Sequence, residues 1–135
     1  MRELKFRVWD KGFSKYVHKD TLGKIRVAMN GEVFFEDDGN WKSDLPDPWF
    51  ILEQFTGLQD SKGKDIYEGD IIITNNRLMD VECDLYPANE VCEEIVYNQH
   101  DCAFCRSNQW VLSLAHLSKY PSTIIGNINQ NPEIL

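Results

Sequence analysis

Apolar and polar residues alternate near the start of the chain, where Leu4, Phe6 and Val8 interleave with Lys5, Arg7 and Trp9. This is the period-two pattern of a half-buried strand, and it places Trp9 on the same face as the two cations. After the Lys11-Gly12 turn, Tyr16-Val17-His18 reads as a short second strand. Residues 25–29, Asn30-Gly31 and residues 32–35 then form a hairpin pattern, because Asn-Gly accepts the positive φ values of a type I′ turn. Together these elements predict a small N-terminal antiparallel sheet. Residues 36–40 and 43–48 are polar, with Gly and Pro placed to interrupt regular structure, and read as loops. Residues 49–55 are apolar at nearly every position, which predicts a strand, or one helical turn leading into a strand.

The segment from Gln54 to Ile72 carries the densest punctuation. A Gly63-Lys64 turn, the short apolar pair Ile66-Tyr67, a second tight turn at Glu68-Gly69-Asp70 and the run Ile71-Ile72-Ile73 read as hairpins entering a buried strand. Gly69 supplies the unusual backbone angle there, and Asp70 caps backbone donors. Further strands are expected at residues 70–74, 94–97, 102–105, 109–113 and 123–128. Five is the usual strand number of an SH3-like barrel. Residues 75–92 form a long connection with Asp80, Glu82, Asp84 and Glu90, and rigid scaffolds commonly present partner-binding loops of this kind.

Three ordered blocks carry a resemblance to a known family: Lys5-Phe6-Arg7-Val8-Trp9-Asp10, the stretch from Gln54 to Ile72, and Ile124-Ile125-Gly126-Asn127-Ile128-Asn129-Gln130-Asn131-Pro132-Glu133-Ile134-Leu135. In this order they resemble the YopX-like family of phage and prophage proteins. Residues 27–48 and 75–90 match poorly. The resemblance implies a two-part β protein whose C-terminal part is an SH3-type barrel, and it brings no catalytic or binding residues. The resulting expectation is a mostly β chain, with residues 1–58 forming an N-terminal β subdomain with an acidic loop and residues 59–135 a barrel packed against it.

The chain has 135 residues, 42% of them hydrophobic, including four Trp, five Tyr and seven Phe. That length and composition suit a packed globular protein of one domain or two small ones. No apolar run reaches the roughly 18 residues that span a bilayer, and charged alternation stands where a signal peptide has its apolar block. A bacterial cytoplasmic location without membrane contact is expected, with free thiols at the four cysteines.

The net charge of −8 is unevenly spread: +5 over residues 1–26, −6 over 27–58 and −7 over 59–135. An acidic C-terminal part disfavours duplex DNA, whose binding rests on neutralising phosphates. A protein partner is therefore the favoured reading. Acidic loops at Glu36-Asp37-Asp38 and around Asp80, Glu82 and Asp84 would meet a basic surface, with Trp41, Trp49, Leu78 and Tyr86 as apolar anchors. Trp49 also suits a core position. The alternative is single-stranded nucleic acid on a cation and aromatic platform of Lys5, Arg7 and Trp9. A zinc-stabilised module is the third reading. Cys102 and Cys105, with Cys83, Cys92 or His100, supply tetrahedral donors, although chelation by both members of Cys102-x-x-Cys105 requires a turn at Ala103-Phe104. Asp10, Asp70, Glu68, His18, His100 and His116 show no catalytic spacing, and phosphate-binding, nucleophile-elbow and metalloprotease motifs are absent from the sequence, so neither an enzyme nor a cofactor is expected. Exposed strand edges make a homo-oligomer a further expectation.

Overall fold

The computed structural model describes residues 3–75, 90–107 and 121–135. Antiparallel strands dominate, and no described residue lies in an α-helix. No helix among these residues is long and apolar enough to cross a membrane. The chain forms two compact units, one of residues 6–53 and one of residues 1–5 with 54–135. The sequence division at residue 58 sits five residues later. The difference arises because strand β6, Phe50–Gln59, is continuous, so the chain passes from one unit to the next without a turn.

In the unit of residues 6–53, β1 (Phe6–Asp10) pairs with β2 (Lys15–Tyr16) in the register Trp9 to Tyr16 and Asp10 to Lys15. The expected inward face of Leu4, Phe6 and Val8 is not formed as such. Leu4 and Phe6 are exposed, whereas Val8, Trp9 and Asp10 are consecutively buried. A three-stranded sheet follows, with β4 (Val33–Asp37) between β3 (Ile25–Val27) and β5 (Asn40–Ser43). A hairpin joins β3 to β4 at Asn30-Gly31, as the sequence reading expected, but it is not the type I′ turn read there: only Gly31 has positive φ, at 86°, and the Gly31 N–H donates to the Ala28 carbonyl at 2.9 Å. Strand β5, by contrast, lies where loops were expected. Its polar composition hides it, but Asp38 and Gly39 both have positive φ, at 49° and 80°, which is the turn chemistry of a two-residue hairpin.

In the second unit, the end of β6 pairs with β7 (Asp65–Tyr67). A four-stranded sheet then runs in the order β10 (Ala103–Arg106), β9 (Glu90–Asn98), β8 (Asp70–Asn75), β11 (Ser122–Asn127) and forms a half-barrel. The strand expected at residues 109–113 lies outside the described residues. Ile66, Ile72, Ile95 and Phe104 form the core, with Leu58 and Ile124 packed against it. A buried ion pair joins the same interior, Arg106 Nη1 lying 2.9 Å from Glu93 Oε2. Burial pushes the Glu93 carboxyl above its ordinary range, and the guanidinium draws it partly back.

Turn aspartates organise this unit. Asp70 accepts the Tyr67 N–H at 2.8 Å, as the sequence reading required. Asp60 accepts the N–H groups of Lys62 and Lys64, each at 2.9 Å, and that of Ile124 at 3.1 Å, so one carboxylate closes a turn and ties it to β11. Burial pushes the Asp60 carboxyl up, but the three N–H donors prevail and hold it below 3.8. A depressed folded pKa means a contribution that is complete above pH 3.8 and lost as pH falls through the folded value. Asp60→Asn is therefore expected to cost about 1–3 kcal/mol at neutral pH. In urea titrations, the gap between wild type and variant should close as pH drops below 3.8. Separately, Ile95→Ala in the core should cost about 2–5 kcal/mol in the same assay.

Candidate functional site

The unit of residues 6–53 carries a cleft of about 510 Å³. Its walls are the rings of Phe13, Phe35, Trp49 and Phe50, and its polar groups come from Asp10, Ser43, Asp44 and Asp47. The Phe35 and Phe50 rings meet edge to face, 5.8 Å apart. Trp49 and Phe13 stay 52% and 71% exposed, so apolar surface faces solvent here.

Two buried aspartates build this cleft. Asp10, 9% exposed, directs one oxygen, Oδ1, at three donors: Gly12 N–H at 2.9 Å, Phe13 N–H at 3.0 Å and the Trp49 indole N–H at 2.9 Å. Asp44, 7% exposed, accepts the Trp49 N–H at 2.7 Å on Oδ1 and the Phe50 N–H at 2.9 Å on Oδ2. The Lys11 N–H closes the ring of bonds by donating to the Trp49 carbonyl at 3.1 Å. Trp49 is thus fixed at its amide, its carbonyl and its indole nitrogen while half of its surface faces water. Gly12 is part of this fit, because a Cβ there would lie 2.0 Å from Trp49 Cζ2.

Of the residues singled out from the sequence, Trp49 lines this cleft and the others fall elsewhere. Lys5 is ion-paired with Asp65, whose carboxyl that bond, with a second from Gln59, holds below its ordinary range. Arg7 Nε donates to Glu53 Oε2 at 2.6 Å, and the Tyr16 hydroxyl donates to the same oxygen at 3.0 Å. Trp9 is 6% exposed and packs edge-on against Tyr16 at 5.1 Å. The open cation and aromatic platform expected from Lys5, Arg7 and Trp9 is therefore not built. Trp41 is partly buried under the Arg26 guanidinium, 3.8 Å from its ring centre, beside Phe34 in a shallower hollow of about 370 Å³. Asp80, Glu82, Cys83, Asp84, Tyr86 and Leu78 lie outside the described residues. Cys102 sits in an exposed turn and Cys105 in β10, with Ala103 and Phe104 both in the strand, so the turn needed for joint chelation is missing. Burial, with help from Asp101, pushes the Cys105 thiol up, and Cys92 lies in β9. Among the described residues, no three His, Cys, Asp or Glu side chains are grouped to hold a metal.

What the sequence reading missed is the setting of Trp49: Asp10, Phe13 and Asp44 gathered around it. A local signal existed: Asp44-Leu45-Pro46-Asp47-Pro48 places an aspartate and two prolines just before an aromatic strand start, and Asp10 precedes a Lys-Gly turn.

Among the described residues, antiparallel β-sheets in two compact units, with an aromatic cleft on one of them, define the class of protein. The chain belongs to the YopX family, whose model, described as YopX protein, matches residues 5–135. Its fold is similar to that of protein EF1440 from Enterococcus faecalis, with a TM-score of 0.61 at 21% identity, covering 100% of this chain and 99% of that one. It is also similar to protein yopX from Bacillus subtilis, with a TM-score of 0.51 at 17% identity and the same coverage. No curated protein matches the chain significantly.

Gly12→Ala is expected to displace the Trp49 indole. Its N–H resonance should move towards the solvent-exposed position in a ¹H–¹⁵N spectrum, with a stability loss of about 1–3 kcal/mol.

Proposed function

We propose that this chain is a non-catalytic protein-binding module whose Phe13–Trp49 cleft receives a segment of a partner protein. The observation that carries this reading is the state of Trp49, half-exposed yet fixed by Asp10 and Asp44. An immobilised aromatic loses little conformational freedom on binding, and aromatic anchors in such clefts contribute most to protein recognition. The remaining structure suits a scaffold: the half-barrel of β8 to β11 is consistent with an SH3-like barrel that supports binding surfaces elsewhere. A non-catalytic role is supported by how the buried aspartates are used. Asp10, Asp44, Asp60 and Asp70 all accept backbone N–H groups at turns, which makes them structural. That the partner is a host or phage protein rests on family resemblance alone.

Nucleic acid is disfavoured as the ligand. Lys5 and Arg7 face carboxylates of their own, and Trp9 has no exposed ring face for a base to stack on.

An array of short random-sequence peptides, probed with the intact protein, tests the reading. A subset should be retained and should lose at least about tenfold in affinity with Trp49→Ala. Trp41→Ala should leave that subset bound. Fluorescence anisotropy with single-stranded DNA and RNA at low salt should show no association. Binding indifferent to Trp49, or firm nucleic-acid binding, would overturn the proposal.

A further inference from the structure

We infer that the cleft selects a basic side chain, a lysine or arginine flanked by apolar residues on the partner segment. This specifies the occupant of the site proposed above and rests on that reading. Three observations converge on it.

The first is an unanswered carboxylate. Asp10 lines the cleft and is about nine-tenths buried, yet all three of its donors are gathered on Oδ1, and Oδ2 has no donor among the described residues. Oδ2 is not among the side-chain oxygens sealed from solvent, so water can reach it, and an incoming ammonium or guanidinium would replace that water with a charge-assisted bond.

The second is the character of the walls. Four aromatic rings bound the cleft, and ring faces attract cations within about 6 Å. The protein shows the same chemistry at its edge, where Lys15 Nζ lies 5.2 Å from the Phe13 ring centre. An apolar stem of lysine or arginine can lie along such walls while its charged end reaches a carboxylate.

The third is charge. Asp47 on the rim is exposed and has no ionic partner among the described residues. The side chains that line the cleft include three carboxylates, Asp10, Asp44 and Asp47, and no cation. A cationic segment is complementary to this rim, and an acidic one is repelled.

The test uses the intact protein labelled with ¹⁵N and four acetylated, amidated tripeptides: Leu-Lys-Leu, Leu-Arg-Leu, Leu-norleucine-Leu and Leu-Glu-Leu. Norleucine keeps the lysine stem and removes its charge. The Trp49 indole N–H and the Phe13 amide resonances report on the cleft. The Lys and Arg peptides should shift both signals saturably, the norleucine peptide should bind about tenfold more weakly, and the Glu peptide should leave them unmoved. Asp47→Asn, which removes rim charge without touching the bonds that hold Trp49, should weaken the Lys peptide a few-fold and leave the norleucine peptide unchanged. Equal binding of the Lys and norleucine peptides, preference for the Glu peptide, or no binding of any peptide would overturn the inference. If the array yields Trp49-dependent peptides without enrichment of basic residues, this specification falls and the binding module stands. If no array peptide depends on Trp49, both fall.

Discussion

The hydrogen bond from the Trp49 indole to Asp10, together with the clasp of Asp44 on the start of β6, is the constraint from which the candidate site follows. An exposed tryptophan on a short β framework would otherwise sample several rotamers and bind at an entropic cost. Here two buried carboxylates answer four backbone N–H groups and one indole N–H, and the indole lies 39 residues along the chain from Asp10. The cleft is therefore a product of tertiary structure. Its walls, Phe13, Phe35 and Phe50, are brought around Trp49 by a turn, a hairpin and a strand that separately mean little.

The same device recurs in the second unit, where Asp60 and Asp70 are buried at turns and accept main-chain donors. Glu93 is buried against Arg106. This changes how the acidity of the chain is to be understood. A count of carboxylates treats every one as a source of surface field, yet several are interior acceptors that hold turns closed. The acids that do face solvent, such as Asp37, Asp38 and Asp47, are those that contribute to the surface field.

The mostly β fold was legible because turn chemistry and apolar runs are local. Asn30-Gly31 placed the β3 to β4 hairpin, and Glu68-Gly69-Asp70 with Ile71-Ile72 placed the entry into β8, whose first two isoleucines are fully buried. Strand β5 was illegible because Asn40, Lys42 and Ser43 give it no apolar face, and its Asp38-Gly39 turn was read as an interruption of structure. Trp9 was misplaced on an open face because alternation fixes which residues share a side and not which side is covered. The site was mostly hidden: Asp10 and Asp44 look like surface acids until their donors, up to 39 residues away, are in place.

The rigidity of the Trp49 side chain is the most direct measure of whether these bonds hold. In ¹⁵N relaxation of the Trp49 indole N–H in the free protein, an order parameter near that of rigid backbone, about 0.85, is the predicted result. A value below about 0.6 would show an indole released from Asp10, and would contradict the account of a preformed cleft.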